Sequence, residues 1–224
     1  MSRNRAFRMG MAAWLLSTLM ALPAVAADRE GPGVIEGQVE LTAGAQQAVD
    51  ADEVSDGVVY FLPKAGAPTP RPGRFSVVTR SKGFSPAVLV VPVGSTVAFP
   101  NADTILHNVY SRSPTNGFDF GFYGPGQNRQ HVFTRPGLVL VNCSVHQAMR
   151  ANVLVLATPY FARPGRDGRF RIPDVPGGAG TLVFWHPRGA PASVAIDAPA
   201  KVPLQRIVAT KPPLSADRHE GHDR

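Results

Sequence analysis

Cys143, His146 and Met149 fall within the seven-residue run Cys143-Ser144-Val145-His146-Gln147-Ala148-Met149. Cys143 is the one cysteine of the 224-residue chain, so no intramolecular disulfide can form. A free thiol in an oxidising compartment is a liability, and ligation to a metal removes it. A further imidazole stands upstream, in Leu106-His107-Asn108-Val109. One thiolate and two imidazoles with a weak axial thioether are the donors of a type 1 copper centre, which passes single electrons. Soft sulfur suits Cu(I) and imidazole suits Cu(II), so a mixed set holds both states with little rearrangement. Zinc is the rival metal, but structural zinc takes four Cys or His donors and thioether serves it poorly. Taken alone, His107 would read as a packed strand histidine.

The elements that must hold these side chains are short strands. Gly 22 and Pro 22 punctuate the chain too often for helical bundles or coiled coils. Hydrophobic residues at 44% and charged ones at 17% exclude global disorder. Strand-like runs lie at 34–41, 57–62, 74–79, 86–93, 95–99, 105–110, 129–134, 138–142 and 151–157. A second set lies at 168–172, 180–185, 192–197 and 202–209. This predicts an all-β protein built as an antiparallel sandwich. Leu138 to Asn142 is the strand that delivers Cys143, and His146 and Met149 follow on its loop.

The N-terminus reads as an export signal. Arg3, Arg5 and Arg8 precede an apolar stretch from Met11 to Ala26, which ends in the small-x-small site Ala24-Val25-Ala26. Cleavage after Ala26 removes four of the five methionines and leaves Met149 as the one that remains. The expected location is the periplasm, with no membrane span after cleavage. Residues 211–224 read as a disordered tail, in which His219 and His222 are solvated. The acidic run Asp50, Asp52, Glu53 and Asp56 reads as a solvated loop, since its spacing fits no calcium loop.

Beyond the candidate ligands, chemistry is sparse. There is no His-x-His pair of the sort that multicopper enzymes use, no Cys-x-x-Cys and no Gly-rich phosphate loop, so no enzyme is expected. No nucleic-acid binding is expected either. His131 reads as structural, and Trp185-His186 as a packed aromatic beside a surface histidine. Phe118, Phe120, Phe122 and Tyr123 either fill the core or form an apolar docking face near the metal. Between Arg74 and Ala157, seven basic residues face only two acids, Asp103 and Asp119. That surplus suggests a redox partner protein with an acidic docking face, steered to Arg150 and the metal edge.

These motifs resemble a family. Gly94-Ser95-Thr96-Val97-Ala98-Phe99-Pro100-Asn101, His107-Asn108-Val109 and Pro136 to Met149 are similar to cupredoxins, the blue copper proteins of amicyanin and plastocyanin type. The resemblance covers about residues 74–157. It implies a Greek-key sandwich with one copper on His107, Cys143, His146 and Met149. It also implies that Asn108 hydrogen-bonds towards the cysteine loop. Val145 and Gln147 stand where the family usually has a proline beside the loop histidine.

The flanks resemble a carboxypeptidase regulatory-like β-sandwich, through Gly37-Gln38-Val39, Asp56 to Tyr60 and Asp167 to Gly178. The expected plan is a signal peptide over 1–26, then a discontinuous sandwich over 32–64 and 158–210. The cupredoxin domain at 74–157 is inserted into it, and the tail follows. One continuous extended sandwich is the alternative. Chains of this plan resemble the methylamine utilization proteins. The implied function is a periplasmic electron carrier using Cu(II)/Cu(I), the alternative being a copper trafficking or storage protein.

Overall fold

The computed structural model describes residues 32–45 and 47–214. The expected signal peptide, His219 and His222 lie outside the described residues. Among the described residues, seventeen strands and one short 3-10 turn make up the regular structure. They are β1 Gly33–Ala43, β2 Val58–Pro63, β3 Arg74–Ser76, β4 Val78–Arg80, β5 Gly83–Ser85 and β6 Val88–Pro92. Next come β7 Ser95–Pro100, β8 His107–Ser111, β9 Phe118–Tyr123, β10 Asn128–Phe133, β11 Gly137–Cys143 and β12 Arg150–Leu156. The last are β13 Phe161–Ala162, β14 Arg169–Val175, β15 Gly178–Trp185, β16 Ala192–Ala198 and β17 Ala200–Ala209.

The protein is all-β, and its strand pairing falls into two sandwiches. The inner one pairs β6-β12-β11-β8-β9 in one sheet and β10-β7-β3 in the other, with β4-β5 as a hairpin beside them. The connections β6–β7, β7–β8, β9–β10 and β10–β11 each cross between its two sheets. The outer one pairs β14-β1-β17 and β13-β2-β15-β16. No ladder among the described residues joins a strand of one sandwich to a strand of the other.

Each sandwich has its own core. Val97, Phe99, Phe133, Val139 and Val141 lie in the inner one, and Ile35, Phe61, Ile172, Leu182 and Phe184 in the outer. Side chains alternate across a strand, so one face of each sheet fills the space between the layers. Gly168, which sits between β13 and β14 at φ +76, permits one close approach in the outer sandwich. A Cβ there would lie 2.0 Å from the Val39 carbonyl oxygen.

Strands with apolar residues on both faces, β12 and β2 among them, explain how the sandwiches meet. In β12, Ala151, Val153 and Val155 point into the inner core, while Leu154 and Leu156 point the other way. In β2, Val59 and Phe61 enter the outer core, while Val58 points away from it. Leu154, Leu156, Val88, Val58 and Trp185 form a third buried cluster where the two sandwiches touch. Arg163 Nη2 donates to the Val88 carbonyl at 2.7 Å across the same seam. Burying a leucine or valine contributes ~1.5–3 kcal/mol, so this seam is a substantial apolar contact.

Several sequence expectations change here. The acidic run is not wholly solvated: Glu53 is 3% exposed and pairs with Arg188, itself 1% exposed. Arg188 Nη2 also donates to the Ala48 carbonyl at 2.7 Å and its Nε to the Lys211 carbonyl at 2.9 Å. His186 is no surface histidine. It is buried, with Nε2 donating to the Glu53 carbonyl at 2.8 Å. Burial lowers its pKa, and the Glu53 carbonyl and nearby acids offset that only in part. The ordered fold runs past 210, because Thr210 and Lys211 bond to the Arg188 carbonyl and Leu214 packs on the seam. Phe118–Tyr123 is a strand that the glycine-rich sequence concealed.

Candidate metal centre

The site lies at one end of the inner sandwich, where β8 and β11 pair. Cys143 closes β11 opposite Val109 of β8, in antiparallel register. His107 is two residues from Val109 and therefore on the same face. That places His107 Nδ1 3.7 Å from Cys143 Sγ, with both side chains buried. The strand was expected to begin at 105, but Ile105 and Leu106 sit in the preceding loop and are exposed. Asn101 shapes that loop: its Nδ2 donates to the carbonyls of Ile105 at 2.8 Å and Tyr123 at 3.2 Å.

His146 stands on the loop that follows β11. The loop after β11 turns tightly, with the Met149 amide donating to the His146 carbonyl at 3.0 Å. This turn sets the His146 ring 5.4 Å from the His107 ring, centroid to centroid. One donor atom each from His107, Cys143 and His146 lie within 4.8 Å of one another. Three of the four sequence candidates thus form a compact donor group, and Met149 is fully buried in the same core cluster as Cys143.

The chemistry of these atoms fits a metal. His146 Nδ1 is buried and has no hydrogen-bond partner among the described residues. An orphaned buried nitrogen costs ~1–3 kcal/mol unless something accepts its lone pair. A cation bound at His146 Nδ1 would do so, and His107 and Cys143 each bring a donor atom within 4.8 Å of one on His146. Thiolate with imidazole suits copper or zinc, and a thioether at hand favours copper.

A carboxylate stands behind the first histidine. Asp103 Oδ2 lies 2.8 Å from His107 Nε2. Asp103 also accepts the backbone N–H groups of Ser81 at 2.6 Å and Lys82 at 3.0 Å. Burial pushes the Asp103 pKa up, but the N–H groups of Lys82, His107 and Ser81 together outweigh it and hold the carboxyl below its usual range. Sequence reasoning did not single out Asp103. Its signal was present: it is one of two acids between Arg74 and Ala157, four residues before His107.

Asn108 departs from expectation. Its side chain turns to β9, donating from Nδ2 to Asp119 Oδ1 at 2.7 Å, instead of to the cysteine loop. The Gly121 amide donates to the same oxygen at 2.9 Å, from a residue with φ +63. That left-handed glycine, with a register shift between Asn108 and Tyr110, bends β9 around the carboxylate. The aromatics of β9 divide between the two readings. Phe118 and Phe120 pack against Phe99, each at 5.5 Å between ring centroids, and Tyr123 is buried. Phe122 is 66% exposed. His131 packs on Phe118 at 4.9 Å, and burial lowers its pKa.

No protein-family model and no curated protein sequence matches the chain. Among solved structures, a purple cupredoxin from Nitrosopumilus maritimus is 27% identical over 36% of this chain and 98% of its own, with a TM-score of 0.32. Amicyanin from Paracoccus versutus is 20% identical over 43% of this chain and 91% of its own, with a TM-score of 0.34. A copper-containing nitrite reductase from Thermus scotoductus is 24% identical over 52% of this chain and 28% of its own, with a TM-score of 0.35. Each likeness extends to only part of the chain.

Proposed function

We propose that this protein is a type 1 copper protein that carries single electrons in the periplasm. His107, Cys143 and His146 would hold the copper through two imidazoles and a thiolate, and Met149 would add a weak thioether donor. The observation that carries this reading is the convergence of one donor atom each from His107, Cys143 and His146 within 4.8 Å of one another. Bound copper supplies a one-electron couple. The chain's own part is to hold two imidazoles, a thiolate and a thioether in one place for both oxidation states. The strand pairing of β8 with β11 and the Met149-to-His146 turn do this.

His146 is the electron's exit, since it is the least buried of the three donors. Leu106 and Val145, exposed beside His107 and His146, with Phe122 on β9, offer apolar docking surface. Exposed Arg150 and the surplus of basic residues in this sandwich favour an acidic redox partner, whose association slows as salt rises. The flanking sandwich is read as carboxypeptidase regulatory-like and the whole chain as methylamine-utilization-like. Both readings rest on the motifs of the sequence.

Adding Cu(II) to the purified apoprotein and recording visible and paramagnetic resonance spectra tests the function. The expected result is a strong thiolate-to-copper charge-transfer band with narrow copper hyperfine splitting. A protein that binds Cu(I) reversibly and never turns blue would overturn the carrier reading in favour of trafficking.

A further inference from the structure

We propose that Asp103 is a positioning residue for the metal centre: its carboxylate fixes the His107 ring with Nδ1 free to ligate and, through that ring, stabilises Cu(II) over Cu(I). The second half rests on the copper reading above, and the first half does not. Three observations support it. Asp103 Oδ2 is 2.8 Å from His107 Nε2, a distance typical of a charge-assisted hydrogen bond. An ionised carboxylate only accepts, so Nε2 carries the proton and the lone pair belongs to Nδ1. Nδ1 is the nitrogen that faces Cys143 Sγ, at 3.7 Å.

The carboxylate is itself held. Oδ1 accepts from Ser81 N and Oδ2 from Lys82 N, at 2.6 Å and 3.0 Å. Ser81 and Lys82 form the β4–β5 turn, with φ 52 and 58, a left-handed pair that aims both N–H groups at one carboxylate. The Asp103 amide is fixed in turn by Asn101 Oδ1 at 3.0 Å. The hairpin thus has a role that its size does not suggest: it anchors the anion that orients a buried ligand. An anion hydrogen-bonded to a ligating imidazole makes it more electron-rich, which favours the higher oxidation state.

The experiment has two arms on the full chain. In the apoprotein, nitrogen-15 NMR of the histidine rings reads the His107 tautomer. Wild type is expected to carry its proton on Nε2, and a proton on Nδ1 would overturn the proposal without any copper bound. In the copper-loaded protein, Asp103→Asn removes the charge and keeps one acceptor oxygen. The potential should rise by about 59 mV, the equivalent of a tenfold change in the ratio of Cu(II) to Cu(I) affinity. Asp103→Glu, which keeps the charge, should move it less. A blue Asp103→Asn protein with an unchanged potential would overturn the proposal while leaving the copper reading intact. A wild type that never turns blue would instead remove the copper reading.

Discussion

Each sandwich buries a histidine beside a carboxylate residue, and the two sites are satisfied in opposite ways. In the outer sandwich both ring nitrogens of His186 are used by the protein. Nε2 donates to the Glu53 carbonyl at 2.8 Å, and Nδ1 accepts from Arg188 N at 3.2 Å. The Glu53 carboxylate is matched by Arg188, whose remaining donors reach Gln47, Ala48 and Lys211. In the inner sandwich Asp103 takes only one nitrogen of His107, and the other points at a thiol. His146 Nδ1 has no partner among the described residues. Burial and charge alone do not separate a structural cluster from a functional one; what separates them is whether lone pairs are left over. The outer cluster ties together the loop before β2, the turn after β15 and the residues after β17. The inner one is built to receive something.

The largest expected effect breaks the inner cluster. Cys143→Ser should abolish the charge-transfer band entirely and leave the far-ultraviolet circular dichroism of the β fold in place. The thiolate gives the colour, while apolar burial holds the sandwich. A serine variant that stays blue would mean that the thiol is not a ligand.

Glu53→Ala attacks the outer cluster and should act in reverse. It strands the Arg188 guanidinium in a buried site, and breaking a buried ion pair in this way typically costs ~3–5 kcal/mol. Urea unfolding should show that loss, while the folded variant keeps the absorption band and potential of wild type. A loss below ~1 kcal/mol would show that water or Gln47 compensates the cation. A shifted potential would show that the clusters are coupled across the seam.

The comparison sharpens with pH. The pKa of His186 is lowered chiefly by burial, so in the folded protein its ring resists a proton that the unfolded chain accepts below about 6.5. The unfolded state then binds more protons, and stability falls as pH drops through that value. His131, also lowered by burial, adds in the same direction. Denaturant midpoints measured from pH 7.5 down to 5 check the sign. An NMR titration of the His186 ring assigns it, and protonation at an ordinary pH would refute the assignment.

The smallest effect concerns Met149. An axial thioether tunes a potential more than it holds the metal. Met149→Gln should keep copper and lower the reduction potential, because an amide oxygen favours Cu(II). Voltammetry that shows no change would remove Met149 from the axial position.

The sequence alone determined the candidate donors of the centre. Cys143, His146 and Met149 are close in the chain, so their candidacy was a local matter of one loop, and His107 carried a motif of its own. The all-β architecture was legible for a similar reason, since short runs of β-branched residues between turn residues are local signals. Where glycine interrupted such a run, at 117–126, strand β9 was missed. Tertiary structure alone decided what satisfies each polar group. The chain order does not reveal that Arg188 would neutralise Glu53, 135 residues away, and turn a solvated-looking acidic run into a buried anchor. Nor does it reveal that Asn108 would turn to Asp119, or that the Ser81–Lys82 turn would hold Asp103 against His107. Ligand identity follows from residue type, but hydrogen-bond satisfaction depends on which donors the fold brings within about 3 Å, and that is a property of packing between distant strands.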